Sequence, residues 1–404
     1  MLHSDQTIRQ WFEEACHAPG DAVVAVIDRV LREAATLECS DVHFQPGKDG
    51  VEIRFRRDGM LYPLGRLPDR HSAQIAARLK VLAHLLTYQV DVPQEGRIRA
   101  GRIEGISLEM RVSTTPTIFG ERVVVRFFAV ENRFERLDDL GLPEDIRSEL
   151  AKAIRRDGGM ILLSGPAGCG KTTTAYALLR EIIARPRYEG TLRSLLSLED
   201  PVERVIDGVA QVEIDSEGDM TLARMLKYVV RQDPEVILVG EIRDRETAET
   251  AMQAALTGHL IVSTLHAGSA VEAVGRLLEI GIEPFTIRST LQCVINQRLL
   301  RKRCPCAAYG MEHGTEKETN TDTDADCRSR DCPECGNTGF SGRVLIAESL
   351  PMDQSDFVRA LFRRQDTPTL HRLAVENGMI ALESRAAELV AAGIVSRADI
   401  AHAG

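Results

Sequence analysis

Residues 159–174 read GMILLSGPAGCGKTTT. The apolar run Met160-Ile161-Leu162-Leu163 has strand length and stops at Ser164. Behind it, Gly165-Pro166-Ala167-Gly168-Cys169-Gly170-Lys171-Thr172 meets the phosphate-loop pattern GxxxxGK[ST] at each fixed position. The pattern is informative only between a strand and a helix. A helix is predicted next, over Thr173–Ala184, with Ala175, Leu178, Leu179, Ile182 and Ile183 on one side. The chemistry needs these residue types. Glycines let the backbone curl until its N–H groups face phosphate oxygens, and the helix N-terminus adds partial positive charge. Lys171 would reach the β- and γ-phosphates and the Thr172 hydroxyl would ligate Mg²⁺. Gly165 to Thr173 is therefore the expected binding segment for ATP and Mg²⁺.

Downstream, Leu195–Leu198, Val236–Val239 and Leu260–Thr264 are short apolar runs alternating with helical segments. One such helix is predicted over Asp244–Thr257, with Ala248, Ala251, Met252, Ala255 and Leu256 on a stripe closed by Gly258. Alternation of this kind predicts an α/β fold with a parallel sheet flanked by helices. Val236–Val239 runs into Gly240-Glu241, where a nucleotide hydrolase keeps its second acidic motif, with Glu241 in place of the usual Asp. Ser197-Leu198-Glu199-Asp200-Pro201-Val202-Glu203 is a second strand ending in acids, suited to water activation or metal-bound water. His259 and His266 flank Leu260–Leu265. That puts His266 near the ligand edge, where it can sense a γ-phosphate or a neighbouring subunit.

Upstream, the spacing of Val23, Val26, Ile27, Val30, Leu31 and Ala34 predicts a helix over 22–35. Strands are expected at 40–46 and 51–64, with a turn at Asp58-Gly59. A helix over 70–86 and a hairpin over 97–112 follow, the hairpin with Ile106, Leu108, Met110 and Val112 on one face. A more buried strand is expected at 121–129. Together these predict a small α+β domain over 21–130, behind an arm at 1–20. The stretch 131–145, ENRFERLDDLGLPED, is charged and aperiodic and contains Gly and Pro, which predicts a linker into a second domain over 146–404. Residues 312–331 are nearly devoid of apolar side chains and read as a solvated loop. The pattern over 353–403 is helical, broken at Pro368 and Gly378.

The 404 residues suffice for two or three domains, and 44% hydrophobic with 27% charged residues is a globular composition. A formal net charge of −10 argues against a general nucleic-acid binder. The N-terminus has no basic start followed by an apolar stretch, and no apolar run approaches a span of about 20 residues. A cytoplasmic protein that meets a membrane only through partners is expected. Of nine cysteines, five fall between Cys304 and Cys335, which suggests metal rather than disulfides.

In order along the chain, GPAGCGKTTT, SLEDPVE, RQDPEVILVGEIRDRETAETAMQAALTGH and STLHAG resemble the Walker A, Asp-box, Walker B and His-box of the secretion superfamily ATPases. Within it the chain is most similar to type II secretion and type IV pilus assembly ATPases. The likeness runs from about Ala22 to the C-terminus, through SDVHFQP, FRRDGMLY, QEGRIR, MRVSTTPTIFGERVVVR and CPECGNTGFSGR. It implies a RecA-like ATPase domain preceded by a PAS-like domain, in a ring of six subunits with ATP between the two domains. The implied role is a motor for pseudopilus or pilus assembly, or protein export. Its implied place is the cytoplasmic face of an inner membrane, with a membrane platform as partner and no direct nucleic acid. A DNA-uptake or conjugation-type motor would share the core.

Carried over by motif, Lys171 and Thr172 bind nucleotide and Mg²⁺, and Glu241 is the catalytic carboxylate. Glu199 and Glu203 assist with water or metal, and His266 belongs to the His-box. Arg243, Arg231, Arg97 and Arg111 are charge-stabilising arginines. Whatever the family, charge on transferring phosphoryl oxygens is best met by a guanidinium fork. Cys304, Cys306, Cys332 and Cys335 resemble the family's zinc-binding tetracysteine. Four thiolates leave no open catalytic position, so Zn²⁺ there would be a structural staple. The first knuckle is Cys-x-Cys, one residue shorter than the family form, and Cys327 or His313 can take the place of Cys306. Lys227 stands where the family often has arginine. Larger members carry an additional N-terminal docking domain, whereas 20 residues precede the first domain here.

Overall fold

Apolar runs with no polar alternation belong to strands covered on both faces, and alternating runs to strands covered on one. Both kinds occur here, in different parts of the chain. The computed structural model describes residues 12, 23–128, 134–185, 191–214, 220–308, 332, 334–335, 338–352 and 355–402. The expected arm (Phe12 apart), the solvated loop, Cys327 and His313 lie outside the described residues. The chain divides into two units, Met1–Glu131 with Arg303–Gly342, and Asn132–Lys302 with Arg343–Gly404.

In the first unit, α1 (Val23–Thr36) buries the predicted stripe of Val23, Val26, Ile27, Val30, Leu31 and Ala34. It shares a core with α2 (Ser72–Leu82) and with one face of a sheet. The strands are β1 (Asp41–Gly47), β2 (Gly50–Arg57), β3 (Met60–Leu67), β4 (Gln94–Ile98), β5 (Glu109–Thr117) and β6 (Gly120–Phe128). Among the described residues they form one sheet in the order β3-β2-β1-β6-β5-β4, with antiparallel neighbours throughout. Val42, Phe44, Ile53, Met110, Val112, Val123 and Val125 point into the core. Most alternate positions are polar, Val124 and Phe128 apart, and three arginines stand in a cross-strand row: Arg97 opposite Arg111, and Arg111 opposite Arg126.

The predicted hairpin over 97–112 differs in detail. Gly101 and Gly105 take positive φ, so the extended run breaks there. Ile103 and Ile106 reach the core from the connection rather than from a strand face.

In the second unit the strands are β7 (Gly159–Ser164), β8 (Leu195–Glu199), β9 (Val209–Glu213), β10 (Val236–Val239), β11 (Leu260–Leu265), β12 (Leu291–Arg303) and β13 (Phe340–Pro351). Among the described residues the sheet order is β13-β12-β7-β11-β10-β8-β9, parallel from β12 through β9. The helices are α3 (Glu144–Ala153), α4 (Lys171–Ala184), α5 (Leu222–Val229), α6 (Arg245–Leu256), α7 (Ala270–Glu279) and α8 (Pro284–Thr290), then α9 (Ser355–Phe362), α10 (Thr367–Glu376), α11 (Leu382–Ala391) and α12 (Arg397–His402). Successive residues of the central strands supply two separate cores. Ile161, Leu163, Val236, Leu238, Leu260 and Val262 pack with α3 and α4. Met160, Leu162, Ile237, Val239 and Ile261 pack with α5 through α10.

Three expectations are corrected. Leu137, Leu140 and Leu142, placed in the linker, are buried beside α3 and α4; their spacing is that of a short 3₁₀ turn over Leu137–Leu140 rather than of a full helix. The cysteine segment groups with the first unit, not with the second. There Arg57 donates to the Glu334 carbonyl at 3.3 Å, and the Gly342 N–H to Asp58 at 3.3 Å. Pro368 starts α10 rather than breaking a helix, as a residue without an N–H can in a first turn.

Candidate active site

Parallel strands all end on one edge of their sheet, so side chains just past those ends meet however far apart they lie in sequence. β7 ends in the phosphate loop, and its last residue, Ser164, is in register with Leu265 of β11. β11 continues into His266. Its Ser263 is in register with Val239 of β10, which continues through Gly240 to Glu241. Val239 in turn pairs with Leu198 of β8, one residue before Glu199. Three further bonds lock these ends together. Thr264 Oγ1 donates to the Gly240 carbonyl at 2.7 Å, the Ile242 N–H to the Thr264 carbonyl at 2.9 Å, and the Gly240 N–H to the Leu198 carbonyl at 2.8 Å.

The phosphate loop closes on Gly170, at φ 91°, and α4 begins at Lys171. At Gly165 (φ 141°) a Cβ would stand 2.3 Å from the Gln297 carbonyl oxygen, so only glycine fits. Lys171 is 8% exposed. Its Nζ donates to the carbonyls of Gly165 (2.8 Å) and Pro166 (2.9 Å) and lies 3.3 Å from His266 Nδ1. Burial pulls its pKa below that of a solvated lysine. Among the described residues it makes no ion pair, so a buried positive charge faces the loop, with Glu241 acting on it only through space. That is what a polyphosphate requires. Thr172 and Thr173 are exposed on the first turn. Cys169 is buried, and burial raises its thiol pKa, so it stays neutral at physiological pH.

His266 links the lysine to the carboxylate. Its Nε2 lies 3.3 Å from Glu241 Oε1, and its backbone carbonyl accepts from Arg276 at 2.5 Å. Arg243 forks onto the other carboxylate oxygen, Glu241 Oε2, through Nε at 2.9 Å and Nη2 at 2.8 Å. This bond raises the Arg243 pKa further. Lys171, His266, Glu241 and Arg243 thus form one chain of polar contacts across three strand ends.

The remaining expected residues stand differently. Glu199 is buried, at 4% exposure. Its oxygens accept from Ser197 at 2.5 Å, from Gln211 at 3.2 Å, and from the Tyr176 hydroxyl. A carboxylate so saturated acts by holding the loop that follows it. The same Tyr176 oxygen accepts from the Glu203 N–H at 3.2 Å, while the Glu203 residue is exposed. Tyr176 is on α4, so the acidic loop hangs from the phosphate-loop helix. Burial raises the Tyr176 pKa well above the usual phenol value, which keeps the donor protonated. Arg231 is exposed in the turn after α5 and is not brought to this chain of contacts. Lys227 pairs with Glu246 at 2.8 Å. Arg97 and Arg111 belong to the first unit, where they pair with Glu109 and Glu95. His259 sits at the opposite end of β11, its Nδ1 donating to the Ala254 carbonyl at 2.9 Å and capping α6.

Sequence reasoning missed Tyr176, Gln211 and the polar row Asn296-Gln297-Arg298. Three polar residues inside the otherwise apolar LQCVINQRLL were the available signal, because a strand interior rarely buries polar groups without use.

In the first unit, Cys304, Cys306, Cys332 and Cys335 bring their sulfurs within 4.8 Å of one another. Cys304 and Cys332 are 3.8 Å apart, and Cys306 and Cys335 3.5 Å. Tetrahedral zinc with Zn–S near 2.3 Å separates its sulfurs by about 3.8 Å, so the Cys-x-Cys spacing fits. The Cys335 backbone N–H lowers the Cys332 thiol to about 7, whereas burial raises Cys304 to about 11.

A family model for "Type II/IV secretion system protein" matches residues 18–402. The type II secretion system protein E of Klebsiella pneumoniae is 38% identical over 388 residues, 94% of this chain and 75% of that protein. The chain belongs to this secretion ATPase family. The type IV pilus assembly ATPase PilB of Thermus thermophilus is 34% identical over 360 residues, 87% of this chain and 40% of that protein. The crystal structure of the Legionella pneumophila ATPase DotB superposes with a TM-score of 0.67 at 22% identity, covering 93% of this chain and 94% of that one. At that identity the likeness shows the fold, an α/β ATPase fold. Like its family, this member is an ATPase.

Proposed function

We propose that this secretion ATPase hydrolyses Mg²⁺·ATP as a six-membered ring that powers pseudopilus or pilus assembly, or protein export, through a type II secretion or type IV pilus system. The contact chain Lys171–His266–Glu241–Arg243 supports this reading most directly. Lys171 and the N–H groups of Gly165 to Thr172 hold the β- and γ-phosphates, and Thr172 is the loop's ligand to Mg²⁺. When bound there, Mg²⁺ would neutralise phosphate charge. Glu241 accepts a proton from the water that attacks the γ-phosphorus as the bond to the β–γ bridging oxygen breaks. Arg243 then turns from Glu241 to the charge on the transferring group. His266, between Lys171 and Glu241, senses whether the γ-phosphate is present.

The first unit is PAS-like in this reading, with two helices on one face of an antiparallel sheet. Its Arg97 and Arg111 stand directly opposite each other, each beside a carboxylate, Glu109 and Glu95. In the ring their guanidinium groups exchange those carboxylates for nucleotide phosphate oxygens. Zn²⁺ on Cys304, Cys306, Cys332 and Cys335 is structural. No helix among the described residues is long and apolar enough to cross a membrane. The motor is therefore proposed to work peripherally, on the cytoplasmic side, through a platform protein.

Light scattering with Mg²⁺ and a slowly hydrolysed ATP analogue, beside ATP turnover against protein concentration, tests the proposal. Six-subunit particles should form, with turnover per chain rising on assembly and again on adding the platform's cytoplasmic domain. A monomer at full rate, or stimulation by DNA instead of the platform, overturns it.

A further inference from the structure

β12 has 13 residues against the 6 of β7 beside it. Asn296 is in register with Ser164, the last residue of β7. The strand therefore continues alongside the phosphate loop after its neighbour has turned away. Side chains alternate across a strand. Cys293 and Ile295 pack on the face that carries α4, and Val294 on the face that carries α7. Gln297 continues the first face, Asn296 and Arg298 the second.

All three side chains are used. Gln297 Nε2 donates to the Cys169 carbonyl at 2.8 Å, and its Oε1 accepts from Thr174 Oγ1 at 2.9 Å. Asn296 Nδ2 donates to Ser164 Oγ at 2.8 Å and to the Ala267 carbonyl at 3.1 Å. Arg298 Nη2 donates to the Gly268 carbonyl at 2.9 Å. For loop N–H groups to face phosphate, loop carbonyls must turn into the protein and find donors there. The fully buried Gln297 supplies that donor and clamps the first turn of α4 with its other end. Glutamate lacks the donor and leucine lacks both. On the other face, Ala267 and Gly268 directly follow His266.

We propose that Gln297 is a positioning residue for the phosphate loop, and that Asn296 and Arg298 are positioning residues for the His266 loop. One strand thereby couples nucleotide grip to the contact between His266 and Glu241. This rests on the phosphate loop and His266 acting as proposed above.

The test is a split in kinetic constants. Gln297→Leu and Gln297→Glu should weaken fluorescent-ADP binding about tenfold, the scale of one lost buried hydrogen bond, and raise KM for ATP in step with little change in kcat. Asn296→Leu and Arg298→Lys should leave ADP affinity within about twofold and lower kcat about tenfold. Gln297→Glu keeps the side chain's size and its acceptor to Thr174, and so replaces Gln297→Leu if the latter melts early. The inference fails if both pairs move Kd and kcat by the same factor in step with melting temperature, or if neither moves. Wild type without turnover would instead remove the functional reading, while the ADP comparison would still decide the role of Gln297.

Discussion

The phosphate-loop site and the cysteine cluster are assembled by different means. At the first, residues from 165 to 266 converge because β7, β11, β10 and β8 are parallel, adjacent and covered on both faces. The register of the strands is what sets that geometry. At the second, two short segments bring four sulfurs together, and Cys304, Cys332 and Cys335 form a buried cluster, with Cys306 packed against it among the described residues. Their thiols are poised unequally, Cys332 at about 7 and Cys304 at about 11. A divalent ion is what would draw all four to thiolate. A site made of strand ends tolerates the loss of its ligand, whereas a site made of its ligands does not.

Removing the proposed zinc should have the largest effect, because structural zinc supplies on the order of 10 kcal/mol of folding free energy. A chelator under reducing conditions, or Cys332→Ser, should abolish zinc by elemental analysis. Hydrogen-exchange protection should be lost around 50–60, 303–306 and 338–342. The segment 159–185 should stay protected and still bind ADP; loss of protection there as well would erase the contrast. Lys171→Ala comes next. It should weaken nucleotide binding about 100-fold or more, as expected for a buried charged donor, in a fluorescent-ADP titration. Zinc content should be untouched. Tyr176→Phe removes one buried donor to Glu199 and should cost about 1–3 kcal/mol of stability by denaturant titration, with kcat reduced several-fold. Unchanged kcat would mean that the acidic loop does not depend on the phosphate-loop helix.

The smallest effect concerns pH. The folded pKa of Lys171 lies below the 10.5 of a solvated lysine, so its burial penalty is full at neutral pH and fades as pH rises toward that value. Any melting-temperature advantage of nucleotide-free Lys171→Met over wild type should therefore shrink between pH 7 and pH 10. A gap that widens would contradict the direction assigned to that lysine.

Much of the second unit was legible because strands buried on both faces leave continuous apolar runs. Met160–Leu163 and Val236–Val239 are such runs, and the residues of the candidate site follow them directly. Glu241 and His266 were readable for the same reason, being the first polar side chains past a strand end. The supporting shell was not. Tyr176 looks like one more apolar position of α4 until its hydroxyl is seen against Glu199. Gln297 lies in a strand whose apolar pattern its own polarity interrupts. Leu137, Leu140 and Leu142 were hidden among charges whose side chains turn outward. The cysteine segment groups with the first unit because sequence neighbours are not always spatial ones.

The proposed function turns on Glu241 acting on the attacking water rather than on ATP binding. Glu241→Gln should therefore be assayed beside wild type for both affinity and turnover. ATP and ADP affinities within about twofold of wild type, with turnover reduced about 10²–10⁴-fold, are the expected outcome. Turnover retained by Glu241→Gln would assign the chemistry to another group.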